Sequence, residues 1–251
     1  LAAATARSPD FSDPIHFLEH PMAILTASGR AALAAAIKEQ TLHLALGEGD
    51  PLWDTTKAIS TPFNEAGVIE LGFTHLADIR VTSLDDQTEY ALDIDYSANA
   101  REGVIRRLPV SAIPEGGDVT VHFKVSHPPE SIGQTALLRE VGRRVVDEVH
   151  FVAADPEGEI VVPTGRYRLV TEPTNHLFIR VRFDFEDAAT SVVREQGLFV
   201  GTQTDSELPL GQKFFIPAQI TDAGILLVLQ NSVPIVRQPS TRETFEFVVT
   251  F

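Results

Sequence analysis

Between Leu177 and Phe185 the chain alternates without a fault: Leu177, Ile179, Val181, Phe183 and Phe185 fall on one side, with Arg180, Arg182 and Asp184 between them. A strand with one dry and one wet face requires this period of two, whereas a helix would spread the same residues around its circumference. The alternation recurs along the chain. Thr41 to Leu46 places Leu42, Leu44 and Leu46 on one side of a strand that Gly47, Gly49, Asp50 and Pro51 then end. Ala77 to Ser83 alternates through Ile79 and Val81, Thr88 to Tyr96 through Tyr90, Leu92 and Ile94, and Val119 to Val125 through Val121 and Phe123. Val104 to Leu108 is a shorter strand, and the Ile113 to Asp118 stretch, IPEGGD, is a turn. The sequence closes on Phe245, Phe247, Val249 and Phe251, again in alternation, which predicts a sheet strand. Residues 70–128 carry only strand and turn signals and so predict a small β-sandwich-like module. The fold class expected is α+β, mainly β.

Two stretches depart from this period. Gly29 to Gln40 is rich in Ala, with Leu33 and Ile37 on one face, and either Thr26 or Ser28 can cap it as a helix. From Gln134, Leu138, Val141, Val145 and Val149 recur at helical spacing, with Arg139, Glu140, Arg143, Arg144 and Asp147 largely opposite, which predicts a second helix. Residues 1–22 read as an N-terminal arm. Pro9, Pro14 and Pro21 break any helix there, yet Phe11, Ile15, Phe17 and Leu18 are apolar and need something to bury them. These four are candidate protein-interaction residues, and the arm is expected to lie across a neighbouring subunit.

Composition narrows the partners. The chain has 20 Lys+Arg against 35 Asp+Glu, a net charge of -15, and no cluster of basic residues offsets it. Such a surface repels nucleic acid and anionic lipid headgroups, so neither is an expected partner. The longest apolar stretch, Ala223 to Leu229, is too short to cross a bilayer, so no membrane insertion is expected. With no cysteine, disulfides, thiolate metal sites and cysteine nucleophiles are all excluded.

Catalytic patterns are incomplete. His16-Phe17-Leu18-Glu19-His20 matches the H-x-x-E-H zinc pattern, but Pro14 and Pro21 leave barely one turn for it and no third ligand is evident. Asp93 and Asp95 stand two apart, a spacing that would put both carboxylates on one strand face; the plainer expectation is a solvated face with Tyr90, Leu92 and Ile94 turned to the core. Gly47-Glu48-Gly49-Asp50 lacks the Lys and the helix of a phosphate cradle and reads as a tight turn. The remaining histidines are scattered. Trp53, just after Pro51, is a candidate interaction residue or a cap on the core, and the sequence leaves both open. No catalytic, metal or cofactor residue is therefore expected.

Two stretches resemble a known family. AILTASGRAALAAAIKEQTLHLALGEGDP is similar to the start of phage tail-fibre proteins of the tail-collar type, and TALLREVGRRVVDEVHFV with LFIRVRFDFEDAATSVVREQGLFVG is similar to the second half of that module. Arg194, Glu195, Gly197, Leu198 and Phe199 carry its R-E-x-G-L-F pattern. The middle section resembles the short β-modules of virion and tail proteins, through Asp95, Tyr96, Gly103, Ile105, Arg107, Leu108, Ala112, Ile113, Pro114, Gly116, Val119, Val121 and Phe123. The resemblance implies a discontinuous tail-collar-like domain, 23–69 and 129–251, with the β-module 70–128 inserted. It implies a structural, non-enzymatic virion protein assembled in the host cytoplasm, oligomeric in the tail. Tail fibres continue into a repetitive shaft and receptor-binding tip, and neither appears here. The expectation is an adaptor at the baseplate or tail tip, contacting other tail subunits and anchoring tail-fibre or receptor-binding proteins. A host-glycan-binding module is the alternative, and a metalloprotease or glycosidase a second.

Overall fold

The computed structural model describes residues 23–126 and 128–251. The expected arm, with Phe11, Ile15, Phe17 and Leu18, lies outside the described residues, as does the H-x-x-E-H stretch.

Helix α1 (Ala27–Lys38) starts where Thr26 caps it: the Thr26 hydroxyl accepts a hydrogen bond from the Gly29 N–H at 3.1 Å. Strand β1 (Leu42–Gly47) follows. A single 3-10 turn (Pro51–Asp54) then leads into seven short strands: β2 (Lys57–Pro62), β3 (Val68–Glu70), β4 (Leu76–Thr82), β5 (Glu89–Tyr90), β6 (Tyr96–Asn99), β7 (Val104–Arg107) and β8 (Asp118–Val125). The chain returns through β9 (Glu140–Val145), β10 (Glu148–Ala154), β11 (Ile160–Val162), β12 (Gly165–Leu169), β13 (His176–Phe183) and β14 (Val192–Val200). It ends with β15 (Gln203–Thr204), β16 (Phe214–Phe215), β17 (Ile220–Asp222), β18 (Ile225–Val236) and β19 (Glu243–Thr250). The protein is mainly β, with 46% of the described residues in strands and 8% in helix.

Two five-stranded sheets, ordered β16-β9-β1-β14-β18 and β11-β12-β10-β13-β19, build the larger sandwich. Leu42, Leu44 and Leu46 of β1 meet Ile179, Val181 and Phe183 of β13 in its core, with Phe245, Phe247 and Val249 of β19 packed alongside. Both period-two patterns thus point inward as their spacing requires. Phe185 lies beyond the end of β13 and is exposed. Helix α1 adds a lid at one end, burying Ala34 against Phe151 and Leu177.

A smaller sandwich is made by sheets β2-β8-β4-β5 and β3-β7-β6. Its core, centred on Phe63, Ile69, Val81, Ile105, Val121 and Phe123, shares no buried residue with that of the larger one. Its pairing begins before residue 70: Lys57–Pro62 runs antiparallel to β8, with Lys57 opposite Phe123, and Val68–Glu70 pairs with β7.

Two expectations fail, each for a local reason. Residues 134–149 are not a helix. They form an irregular strap, then β9, a turn and the start of β10. The β-branched Val141, Val145 and Val149 favour strands, and pairing with β1 overrides the helical spacing. Gly142 lets Phe214 and Phe215 pack close on this strand: an added Cβ would meet the Phe214 ring at 2.4 Å and the Phe215 carbonyl oxygen at 2.8 Å. Leu138, expected on the core face, is exposed, while Arg143 and Arg144, expected in solvent, are buried. Thr88–Tyr96 is likewise not one strand. It turns at 91–95, with Asp93 at φ +64°, which leaves Leu92 and Ile94 exposed rather than in the core.

Candidate functional site: the junction between the two sandwiches

The Gly47–Asp50 turn organises the junction. Asp50 accepts a hydrogen bond from the Leu52 N–H at 2.9 Å and so starts the 3-10 turn that carries Trp53 and Asp54. Gly49, at φ +70°, lies under the indole: a Cβ there would fall 2.2 Å from Trp53 Cζ3. Trp53 is half-buried on this glycine. The guanidinium of Arg194, from β14, stacks on the other part of the ring, 5.1 Å from its centroid.

Arg194 is buried, and its two terminal nitrogens reach both chain crossings between the sandwiches. One donates to Asp54 Oδ1 at 2.7 Å, where the chain leaves the larger sandwich. The other donates to the Ser126 carbonyl at 3.2 Å, where it returns from β8. Ser126 is fixed in turn: its N–H donates to the His75 carbonyl at 2.9 Å, and its hydroxyl donates to the same oxygen. One planar cation therefore ties the outgoing and returning segments to a central strand.

Its neighbour Glu195 performs a second fastening. The side chain is fully buried and accepts hydrogen bonds from the backbone N–H groups of Gly49 (3.1 Å), Leu138 (3.1 Å) and Arg139 (3.4 Å), and from the Gln134 amide (3.2 Å). It holds the strap 134–139 across the sheet. Gly47 must be small here, because a Cβ would come within 2.7 Å of Glu195 Oε2. Gly197 must also be small, with Leu137 Cδ2 2.9 Å from where its Cβ would stand. The R-E-x-G-L-F pattern is thus a clamp, a staple, a packing notch and, in Leu198 and Phe199, two core residues.

More buried arginines surround this sheet. Arg143 lies 4.0 Å from the Phe199 ring centroid, is bidentate to Glu140 (2.7 and 2.8 Å) and donates to the Ala223 carbonyl at 2.7 Å. Arg144 pairs with Asp184 at 2.9 Å and with Asp187. Arg237 donates to the carbonyls of Asp184 (2.8 Å) and Asp187 (3.0 Å). His43, opposite Val145 on β9, is buried edge-on to Phe215; burial, and secondarily the Arg143 charge, push its pKa down to about 4.

The other candidates show no reactive arrangement. Asp95 is buried, not on a solvated strand face. Its carboxylate accepts the N–H groups of Ala112 (2.7 Å) and Ala91 (2.8 Å), which hold its pKa below the ordinary value and close two turns. Asp93, at positive φ, does not share a strand face with it. On the outer face of the second sheet, an open groove of about 400 Å³ contains Glu148 and Glu246, but Arg180 bridges them at 3.0 and 2.7 Å. One guanidinium thus engages both carboxylates. Tyr96 and Tyr167 are buried and Tyr90 packs against the smaller core, so none forms an open sugar platform. Among the described residues no three His, Asp or Glu converge as metal ligands, and no helix is long and apolar enough to cross a membrane.

None of the curated proteins compared with the chain matches it. One family model does, described as "Baseplate wedge 3 tail fiber network component", over residues 22–101 and 122–251. The matched parts take in the whole larger sandwich from α1 onward and β2 to β6 of the smaller one. The unmatched stretch, 102–121, holds β7, the turn after it and the first part of β8. Both halves of the junction, Trp53 and Asp54 on one side and Ser126, Arg194 and Glu195 on the other, lie within the match. A match over this much of the chain makes the protein a member of the baseplate wedge 3 tail fiber network component family, a structural family of the phage baseplate and tail fibres.

Proposed function

We propose that this chain is a non-enzymatic adaptor of the virion. The larger sandwich is held among baseplate subunits and presents the smaller one, at a fixed angle, to a tail fibre or receptor-binding protein. The observation that carries this reading is the Arg194 clamp. A decorative module on a loose tether needs no buried cation gripping both crossings, whereas a module that transmits position does. The smaller sandwich is the contact for the fibre in this reading, because it projects from the clamped crossings, and the unmatched residues 102–121 lie within it. The tail-collar likeness of the larger sandwich, and the apolar arm contacting a neighbouring subunit, belong to the same reading.

Phage lacking this gene provide the test. Tails purified from such a lysate and imaged by electron cryomicroscopy are expected to lack fibres while keeping their tube. An epitope placed in the Gly116–Gly117 turn of the complemented virus should be labelled at the fibre attachment points. Tails that carry their full fibre set without this protein would defeat the adaptor assignment.

A further inference from the structure

The two halves of β18 are treated differently. It is the last strand of its sheet, and among the described residues no strand pairs with its outer edge. An open edge invites pairing with another chain unless it is blocked. From Asn231 onward it is blocked. The Asn231 N–H points away from β14 and donates to the Glu130 carboxylate at 2.8 Å, while the Asn231 amide donates to the Pro128 carbonyl at 3.0 Å. The register with β14 then breaks between Val193 and Glu195, and Pro234 removes a donor.

Residues Ile225 to Gln230 have no such block. By the alternation of an antiparallel strand, Leu229 turns its backbone outward like Asn231. A bulge at Leu227 bends this half, and none of its own residues is charged or a proline. Ile225 is 68% exposed. An open groove of about 440 Å³ lies beside this half, lined by Glu130, Ser131, Ile132, Gln134 and Leu226 to Leu229, with the Glu130 carboxylate held by the Asn231 N–H at its blocked end.

Charge selects the occupant. Ala223 to Val236 runs fourteen residues without Asp, Glu, Lys or Arg in a chain of net charge -15. A basic partner would be drawn to the acidic surface and not to this strip. Two copies of so acidic a chain repel one another except where an uncharged strip meets an uncharged strip. Antiparallel pairing about a two-fold axis brings this strip onto itself. We propose that Ile225 to Gln230 is a self-association edge, at which a second copy of this chain adds its own β18 antiparallel to the first.

The full-length chain is tested by sedimentation. The wild type is expected to be a dimer, and Ile225→Lys with Gln230→Lys, two exposed positions, should make it a monomer with an unchanged circular-dichroism spectrum. Because the chain has no cysteine, six single-cysteine variants at 225–230 locate the contact. Under oxidation, only the one or two positions at the two-fold should give a disulfide-linked dimer. A monomeric wild type would overturn the proposal, as would a dimer that survives the lysine pair or cross-links equally, or not at all, across the six positions.

Discussion

Replacing Arg194 with Ala removes three contacts at once, and their sum can be worked from the geometry. The stacking on Trp53, with the ring half-buried, is worth about 1 kcal/mol. The bond to Asp54 is short, but 72% of that side chain is exposed, so solvent screening reduces the pair to about 1 kcal/mol. The Ser126 carbonyl loses its charged donor, about another 1 kcal/mol. Truncating the buried stem adds a packing loss, giving roughly 3 to 4 kcal/mol in all. Lys at the same position keeps the charge for Asp54 but cannot lie flat on the indole while reaching Ser126, so it should recover less than half. Urea denaturation reads the energy, and hydrogen exchange reads its place. Arg194→Ala should speed exchange at Trp53 and Thr55, whose N–H groups bond to Asp50 and Leu52, and at Ser126, while Val121 and Phe123 in the smaller core stay protected. A variant within about 0.5 kcal/mol of the wild type, with exchange unchanged at those three amides, would refute the clamp.

Glu195→Gln leaves one acceptor oxygen facing three backbone donors, so it should cost about 2 to 4 kcal/mol in a urea titration and expose the 134–139 strap to exchange; an isoenergetic variant would mean the staple is idle. His43 has a folded pKa near 4 against an ordinary 6.5, so the folded state refuses a proton that the unfolded chain accepts. Its contribution is present above pH 6.5 and is lost as pH falls from 6.5 to 4, roughly 3 kcal/mol across that window; His43→Phe should flatten the stability profile between those limits, and an unchanged slope would assign it to other groups. Replacing 57–125 by a short Gly-Ser bridge should leave a cooperatively unfolding larger sandwich, because Lys57 and Phe123 are paired neighbours and the two cores share no buried residue; a deletion product with no cooperative transition would show that the units depend on each other.

What could be read from the sequence followed its clearest periods. Leu177 to Phe183 and Leu42 to Leu46 became central core strands because period-two burial has no helical solution at that density of apolar residues. The expected second helix fails because Leu138, Val141, Val145 and Val149 fit two templates, and the pairing of Glu140–Val145 with β1 selects the strand. Asp95 was misread because a carboxylate that closes two turns, seventeen residues apart at Ala112, has no local signature. Arg194 and Glu195 were visible as a pattern but not as a mechanism. Their partners, Asp54, Gly49, Ser126 and Leu138, lie 57 to 146 residues away in sequence, and no spacing rule reaches that far.

The buried arginines bear on function as well as on fold. A buried ion pair is weak evidence for stability, since desolvating its charges can cost as much as their attraction returns. Its geometry is nonetheless restrictive, because a planar guanidinium accepts partners from few directions. Here Arg144 of β9 and Arg237, just past β18, fasten the 184–187 loop, Arg143 fastens the 223 turn to β9, and Arg194 fastens the crossings to the smaller sandwich. Each grips a segment between strands, where a flat apolar contact would permit sliding. In the adaptor reading proposed above, fixed loop positions matter more than a few kcal/mol of global stability. That weighting favours charged clamps over additional apolar burial at the places where this fold has them.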